Sequence, residues 1–147
     1  MAAGVGAGEH VALWLNNRAD WVFIAYAVMK IGAVLVPVNT RFRTHDLDYV
    51  LRQSDSVMLI THDVSGPIDY LAMVREVVRL PEDGGRISDP NFPELRNVVI
   101  LGEDGHSGVI DWLEALVSGG GVPVADVEGR AAAVRPDDPA LIMYTSG

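Results

Sequence analysis

Short apolar runs alternate along the chain with segments in which apolar residues recur at helical spacing. Residues 11–15 predict a strand, and residues 21–31 predict a helix because their apolar positions follow a period near 3.6. Those positions are Trp21, Ile24, Ala25, Val28 and Ile31. Gly32 lies where a helix C-terminal glycine belongs, and residues 34–37 predict a second strand that ends at a proline.

The alternation continues through the middle of the chain. Thr44 is predicted to be a helix N-cap, with Asp46 and Asp48 in the first turn, where the helix dipole favours negative charge. The apolar stripe of that helix is Leu47, Val50 and Leu51. Residues 57–61 predict a third strand, and a further helix is predicted to end before Pro81. Its apolar positions are Ile68, Leu71, Val74 and Val78.

The last third of the chain has a less regular pattern. Residues 82–96 predict a loop and residues 98–101 a strand. A short amphipathic helix is then predicted to end at the glycines 119–121, and its apolar positions are Ile110, Leu113, Leu116 and Val117. Residues 119–139 show little pattern, and residues 140–144 predict a final strand. This order of elements predicts an α/β fold, with a mostly parallel sheet flanked by helices.

Composition and charge narrow the possible partners and compartment. The 147 residues include no cysteine, which excludes disulfides and cysteine chemistry and favours a reducing cytoplasm. No apolar run approaches the roughly 18 residues that a membrane span needs. Residues 1–60 hold five basic and five acidic side chains, whereas residues 61–147 hold six basic and fifteen acidic ones. The resulting net charge of −9 argues against binding to nucleic acid or to an anionic membrane.

Several familiar site patterns fail when their context is considered. The glycines at 4, 6 and 8 do not follow a strand, so they do not predict a dinucleotide-binding loop. The four histidines are far apart and predict no metal site, and no Gly-x-Ser-x-Gly hydrolase motif is present. Trp14, Trp21 and Trp112 are interpreted as core residues. Arg41 and Arg43 follow a strand end, where phosphate can bind, but a solvated loop is the favoured interpretation.

The chain ends in Tyr144-Thr145-Ser146-Gly147, directly after the last predicted strand. A strand that leads into threonine, serine and glycine offers hydroxyl groups and free backbone N–H groups at the carboxyl end of a sheet. Such a turn can hold a polyphosphate. Taken alone, these four residues are equally compatible with an ordinary turn.

Three ordered blocks of sequence resemble the adenylate-forming superfamily, which includes the AMP-forming acyl-CoA synthetases. The blocks are Lys30-Ile-Gly-Ala33 with Val36-Pro-Val-Asn39, Asp46-Leu-Asp-Tyr-Val-Leu51, and Arg135-Pro-Asp-Asp-Pro-Ala-Leu-Ile-Met-Tyr-Thr-Ser-Gly147. The third block is similar to the lead-in to the family's signature loop, which continues Thr-Thr-Gly-x-Pro-Lys-Gly. Val38-Asn-Thr-Arg41 resembles the acyl- and aryl-CoA synthetases, whereas peptide-synthetase adenylation domains typically have Leu-Asp-Pro at this place.

The resemblance implies an acid:CoA ligase that uses ATP, Mg²⁺ and CoA to activate a fatty, cyclic or aromatic carboxylic acid. It implies that residues 1–147 are an incomplete piece of the large N-terminal AMP-binding domain, truncated at both ends and without the C-terminal domain. Thr145, Ser146 and Gly147 would open the ATP phosphate-binding loop, and Tyr144 would end the strand. No catalytic residue is expected in this chain, because Lys30 matches a helix-terminal position and not the catalytic lysine. An incomplete sheet also predicts exposed apolar surface and self-association.

Two alternatives remain open at this stage. The first is a self-contained flavodoxin-like α/β binding module that happens to end in Thr-Ser-Gly. The second is a degenerate synthetase paralogue that serves as a non-catalytic interaction or regulatory subunit. Binding of ATP without turnover would favour the second alternative.

Overall fold

The structure is a computed structural model, and it describes residues 1–82, 85–103 and 105–145. Its strands are β1 (His10–Trp14), β2 (Val34–Pro37), β3 (Met58–His62), β4 (Val64–Ser65), β5 (Ile68–Asp69), β6 (Asn97–Leu101) and β7 (Ile110–Asp111). Its helices are α1 (Ala19–Lys30), α2 (Thr44–Ser54), α3 (Tyr70–Val77), α4 (Trp112–Gly120) and α5 (Val124–Ala133).

The main sheet is parallel and has helices on both faces, which confirms the predicted fold class. Its strand order is β2-β1-β3-β6-β7, and each neighbouring pair runs parallel. β4 and β5 form a separate antiparallel hairpin that directly follows β3. The carboxyl ends of β1, β2, β3 and β6 therefore meet at one edge of the sheet, which we call the carboxyl edge.

Two hydrophobic clusters form the core, one for each face of the sheet. Because side chains alternate along a strand, Ala12 and Trp14 belong to one cluster and Val11 and Leu13 to the other. The first cluster packs against α2 and α3, and the second packs against α1 and the start of α4. Both faces of β1 are therefore buried, which explains its continuous apolar run.

The predicted first and second helices are confirmed, with one change at a helix start. α1 buries Ile24, Ala25 and Val28, and Gly32 follows it with a φ of +71°. Thr44 was predicted to be the N-cap of α2, but it is the first helical residue and Arg43 is the N-cap. The Arg43 N–H donates to Asp46 Oδ2 at 3.0 Å, so the first-turn aspartate satisfies this free donor.

The predicted helix that includes Ile68 begins two residues later than expected. Ile68 lies in the β4–β5 hairpin, and α3 starts at Tyr70. The Asp69 side chain caps α3 by accepting a hydrogen bond from the Ala72 N–H at 2.7 Å. The cap sets the start of the helix, so the apolar position before it belongs to the hairpin.

The apolar stripe predicted for α4 is exposed. Leu113, Leu116 and Val117 are 59%, 52% and 70% exposed, while Trp112 and Ala115 on another side of the helix pack against the core. Ile110 precedes the helix in the short strand β7. The amphipathic helix is therefore confirmed, but most of its apolar stripe is exposed.

Residues 119–139 contain a helix that the sequence pattern did not predict. α5 spans Val124–Ala133 and has no buried residue. Arg130 fastens it to the end of α1, because its Nε and Nη2 atoms donate to the Ile31 carbonyl oxygen at 3.0 and 2.6 Å. Val124, Val127 and Ala131 do recur at helical spacing, but this short stripe of small residues was not recognised as a helix.

Candidate functional site

The strand order creates a topological switch point at the carboxyl edge. From β1 the chain continues to β2 on one side of the sheet. From β3 the next strand of this sheet is β6, on the opposite side, so the two connections run in opposite directions. In open parallel sheets, ligands bind in the crevice outside the carboxyl ends of such strands. Asn16 and Arg18 follow β1 here, and His62 ends β3, with Arg18 Nη1 3.5 Å from His62 Nδ1.

The segment 140–145 runs beside β2 toward the same edge. Leu141 pairs with Leu35 in a parallel bridge, in which the Leu35 N–H donates to Ala140 O at 2.9 Å and the Ile142 N–H donates to Leu35 O at 2.8 Å. The predicted strand 140–144 is thus only a single bridge. The side chains still alternate as in a strand. Leu141 and Met143 are exposed, whereas Ile142 and Tyr144 are half-buried.

The structure describes one of the predicted loop residues. Thr145 is exposed at the end of this segment, while Ser146 and Gly147 lie outside the described residues. Tyr144 packs edge-on against Tyr49 of α2, with ring centroids 6.3 Å apart. Burial raises the pKa of Tyr144, and Tyr49 and Asp55 raise it further. Tyr144 is therefore a neutral packing residue at pH 7, but it does not end a strand, because the pairing with β2 is limited to the bridge at Leu141.

The loop that leaves β2 at the carboxyl edge carries Arg41 and Arg43. Both side chains are exposed, which is compatible with a solvated loop and also with a phosphate contact. This loop, residues 39–43, is called the arginine loop below. Lys30 is the last residue of α1 and is also exposed.

His62 is a buried polar residue at the switch point that the sequence did not single out. It is 5% exposed, and Arg18 Nη1 donates to its Nδ1 atom over 3.5 Å. Its ring packs against the Tyr70 ring at 5.8 Å, and its Nε2 atom has no hydrogen-bond partner among the described residues. Burial lowers the pKa of His62, and the nearby Arg18 guanidinium lowers it further, against the opposing effect of Asp63 and Asp20.

This lowered pKa predicts a loss of stability in mild acid. The unfolded chain binds the proton at the ordinary histidine pKa of 6.5, whereas the folded chain binds it only at lower pH. The contribution of His62 to stability is therefore complete above pH 6.5 and declines as the pH falls below it. Urea unfolding at a series of pH values should show this decline, and His62→Asn should flatten it. The exposed His45→Asn is the matched control, and an equal effect of both variants would contradict the assignment.

A cavity of about 800 Å³ opens beside the switch point, at the ends of β3 and β6. Its lining includes the acidic residues Asp63, Asp69 and Glu103, together with Arg75 and His106. Burial opposes ionisation of Asp63, but hydrogen bonds from the N–H groups of Glu103 and Val64 outweigh it and lower the pKa, together with the His106 ring, whose Nε2 atom lies 3.6 Å from Oδ2. Because its lining carries more negative than positive groups, this cavity is a poor place for a phosphate.

The described part of the chain contains no group of three metal-ligating side chains placed to hold an ion. Trp14, predicted to be core, is fully buried, and Trp21 and Trp112 pack against the core. No helix in the described ranges is both long enough and apolar enough to cross a membrane.

Comparison with known proteins gives consistent matches over the whole chain. The family model described as "AMP-binding enzyme" matches residues 1–147. The crotonobetaine/carnitine–CoA ligase of Proteus mirabilis is 36% identical over 149 residues, which cover 99% of this chain and 25% of that ligase. The long-chain-fatty-acid–CoA ligase FadD15 of Mycobacterium tuberculosis is 29% identical over 147 residues, which cover 100% of this chain and 22% of that ligase.

The fold is also shared with a solved structure. Acetoacetyl-CoA synthetase from Streptomyces lividans aligns with a TM-score of 0.64 and 24% identity, over 99% of this chain and 21% of that one. At this identity the match shows a common fold. The chain spans about a quarter of the length of the curated relatives that it matches.

Proposed function

We propose that this chain, which belongs to the AMP-binding enzyme family, forms part of an acid:CoA ligase. In the proposed reaction the carboxylate of the acid attacks the α-phosphorus of ATP, which releases pyrophosphate and forms an acyl-adenylate. The thiolate of CoA then attacks the acyl carbon and displaces AMP, which forms the thioester. The chain would contribute part of the large N-terminal domain and the start of its ATP phosphate-binding loop.

The parallel bridge between Leu141 and Leu35 is the observation that carries this proposal. It directs the chain beyond Leu141 toward the carboxyl edge, where the arginine loop leaves β2. Thr145 is exposed after this bridge, and Ser146 and Gly147 follow it. Hydroxyl and backbone N–H donors at this edge suit the oxygens of a triphosphate.

The described residues do not supply the other parts of a ligase site. They include no group of carboxylates and histidines fit to hold Mg²⁺, so no step is assigned to the metal. They also include no candidate for the catalytic lysine, since the only lysine of the chain ends α1. We therefore propose that the 147-residue chain by itself is inactive.

The acid is proposed only as a class. The names of the two curated relatives specify a carnitine-type acid and a long-chain fatty acid, which are chemically different substrates. Fatty, cyclic and aromatic acids all remain in the proposal. A cytoplasmic location is proposed because the chain contains no cysteine and its proposed cosubstrates are cytoplasmic metabolites.

Exchange of pyrophosphate into ATP, driven by an acid, tests the proposal. We expect the complete product of the gene to catalyse exchange with at least one acid from a panel of fatty, cyclic and aromatic acids. We expect this 147-residue chain to give no exchange with any of them, because the groups that hold the nucleotide are incomplete. Sequencing the encoding DNA on both sides of the 147 codons supplies the complete product.

Two outcomes would contradict the proposal. Acid-dependent exchange by the 147-residue chain would show that the chain is itself an enzyme. Binding of ATP by the complete product without exchange for any acid would instead support the degenerate paralogue, which would share this fold.

A further inference from the structure

The arginine loop has an ordered backbone at the carboxyl edge of the sheet. The Phe42 N–H donates to Asn39 O at 3.0 Å, and the Arg41 N–H donates to Asn39 Oδ1 at 2.9 Å. The Arg43 guanidinium folds back on the loop and donates through Nη1 to the carbonyl oxygens of Thr40, Arg41 and Phe42. Within the described ranges, the Arg41 guanidinium makes no hydrogen bond or ion pair, so its donors are available to a ligand.

Two buried aromatic residues donate hydrogen bonds to carbonyl oxygens of the arginine loop. Trp14 Nε1 donates to Asn39 O at 3.0 Å, and the Tyr70 hydroxyl donates to Thr40 O at 3.4 Å. Trp14 is 0% exposed and Tyr70 is 1% exposed, and their rings pack edge-on with centroids 4.7 Å apart. A buried donor without a partner is costly, so both hydrogen bonds tie the loop to the core.

The Tyr70 hydroxyl also joins the other loops of the switch point. It lies 3.4 Å from Asn16 Oδ1, and Asn16 Nδ2 donates to Ser65 Oγ at 2.5 Å. One hydroxyl therefore lies among the exits of β1, β2 and β3. Its single proton can be donated either to Thr40 O or to Asn16 Oδ1, so Tyr70 links the exits of β1 and β2, and Asn16 links them to the segment after β3.

The position of the arginine loop indicates why the hydrogen bonds from Trp14 and Tyr70 matter. The segment 140–145 runs parallel to β2 and approaches the edge where the arginine loop begins. In a chain with a net charge of −9, an exposed guanidinium without a partner in the described ranges, on the loop that leaves β2 at this edge, is suited to a phosphate group. A guanidinium binds phosphate best when its backbone is held in place, because less entropy is then lost on binding.

We propose that Trp14 and Tyr70 are positioning residues that hold the arginine loop so that Arg41 can contact a phosphate group of ATP or of CoA. The functional part rests on the proposed ligase activity, whereas the structural part does not. The two residues do not touch substrate in this proposal. They act through the carbonyl groups of Asn39 and Thr40.

Limited trypsin digestion of the 147-residue chain tests the structural part. Trypsin cuts after Arg41 and Arg43, so the rate of cutting reports loop opening. We expect Tyr70→Phe to speed these cuts roughly 3- to 10-fold, which corresponds to one lost hydrogen bond. Cutting after the exposed Arg86 should stay unchanged, because that residue lies in another loop.

Tyr26→Phe is the matched control, since Tyr26 is 67% exposed and its hydroxyl should not affect the loop. Unchanged cutting after Arg41 and Arg43 in Tyr70→Phe would overturn the proposal. Equal acceleration at Arg86 would also overturn it, because global unfolding would then explain the result.

Kinetics of the complete gene product test the functional part. We expect Arg41→Gln to raise the KM for either ATP or CoA roughly 10-fold, and Tyr70→Phe to raise the KM for the same substrate, with kcat within about twofold. The substrate whose KM rises identifies the source of the phosphate. A change in kcat alone, or in neither KM, would overturn the functional part.

If the complete product has no ligase activity, calorimetric titration with ATP and with CoA replaces the kinetics. Weaker binding of the same ligand to both variants would still support the proposal. Equal binding by wild type and variants would overturn it. The failure of the proposed ligase activity is thus distinguished from the failure of loop positioning.

Discussion

Replacing Leu59 by alanine is expected to lower the free energy of unfolding by about 2–5 kcal/mol. Leu59 lies in the central strand β3, is 0% exposed and packs in the cluster against α2 and α3. The loss combines the transfer of the missing methyl groups with the cavity that remains, because neighbouring strands on both sides restrict collapse. Urea unfolding at neutral pH, followed by circular dichroism, measures the change.

Leu113→Ala is the matched control, because it is the same substitution at a site 59% exposed on α4. We expect its free energy of unfolding to stay within about 0.5 kcal/mol of wild type. A loss as large as that of Leu59→Ala would contradict the exposed position of the α4 stripe. If such a loss depended on protein concentration, it would show that the stripe is buried by self-association, which remains a prediction.

Gly108→Ala is expected to lower the free energy of unfolding by about 2–5 kcal/mol. Gly108 has a φ of +79°, and an alanine Cβ would overlap the carbonyl oxygen of Pro81. Left-handed backbone costs an L-residue roughly 1–2 kcal/mol, and forced displacement of a packed neighbour adds about 1–3 kcal/mol. The loop after β6 would have to move away from the end of α3. Chemical denaturation gives the size of the loss.

Gly66→Ala separates these two causes. Gly66 also has a positive φ, +59°, but a Cβ there would have no atom within 4 Å. We expect this variant to lose only about 1 kcal/mol, from backbone strain alone. Equal losses in the two variants would show that the overlap with Pro81 is relieved at no cost.

The sequence determined the fold class and the elements near the sheet. β1, β2, β3 and β6 are buried on both faces, so each appears as a continuous apolar run. α1 and α2 each pack one apolar stripe against the sheet, and their sequences therefore show helical periodicity. The start of the phosphate-binding loop at Thr145 remains a prediction from a local pattern, in which an extended segment ends in hydroxyl residues and glycine.

Hydrophobic periodicity was a poor guide to the helices that do not bury an apolar stripe. α5 buries no residue and is hydrogen-bonded to the Ile31 carbonyl through Arg130, and its spacing of Val124, Val127 and Ala131 was too weak to be recognised. The stripe of α4 is present in the sequence but exposed in the structure. Hydrophobic periodicity states that a helix has an apolar side, and only the packing of the chain decides whether that side meets the sheet.

The supporting contacts of the candidate site were decided by tertiary structure alone. Trp14 and Tyr70 are far apart in sequence, and both resemble ordinary core residues. Strand order brings them together beneath Asn39 and Thr40, and it creates the switch point that contains His62. Local sequence specifies the period and the turn chemistry of each element. The hydrogen bonds between elements depend on which strands become neighbours, and burial of the whole sheet settles that order.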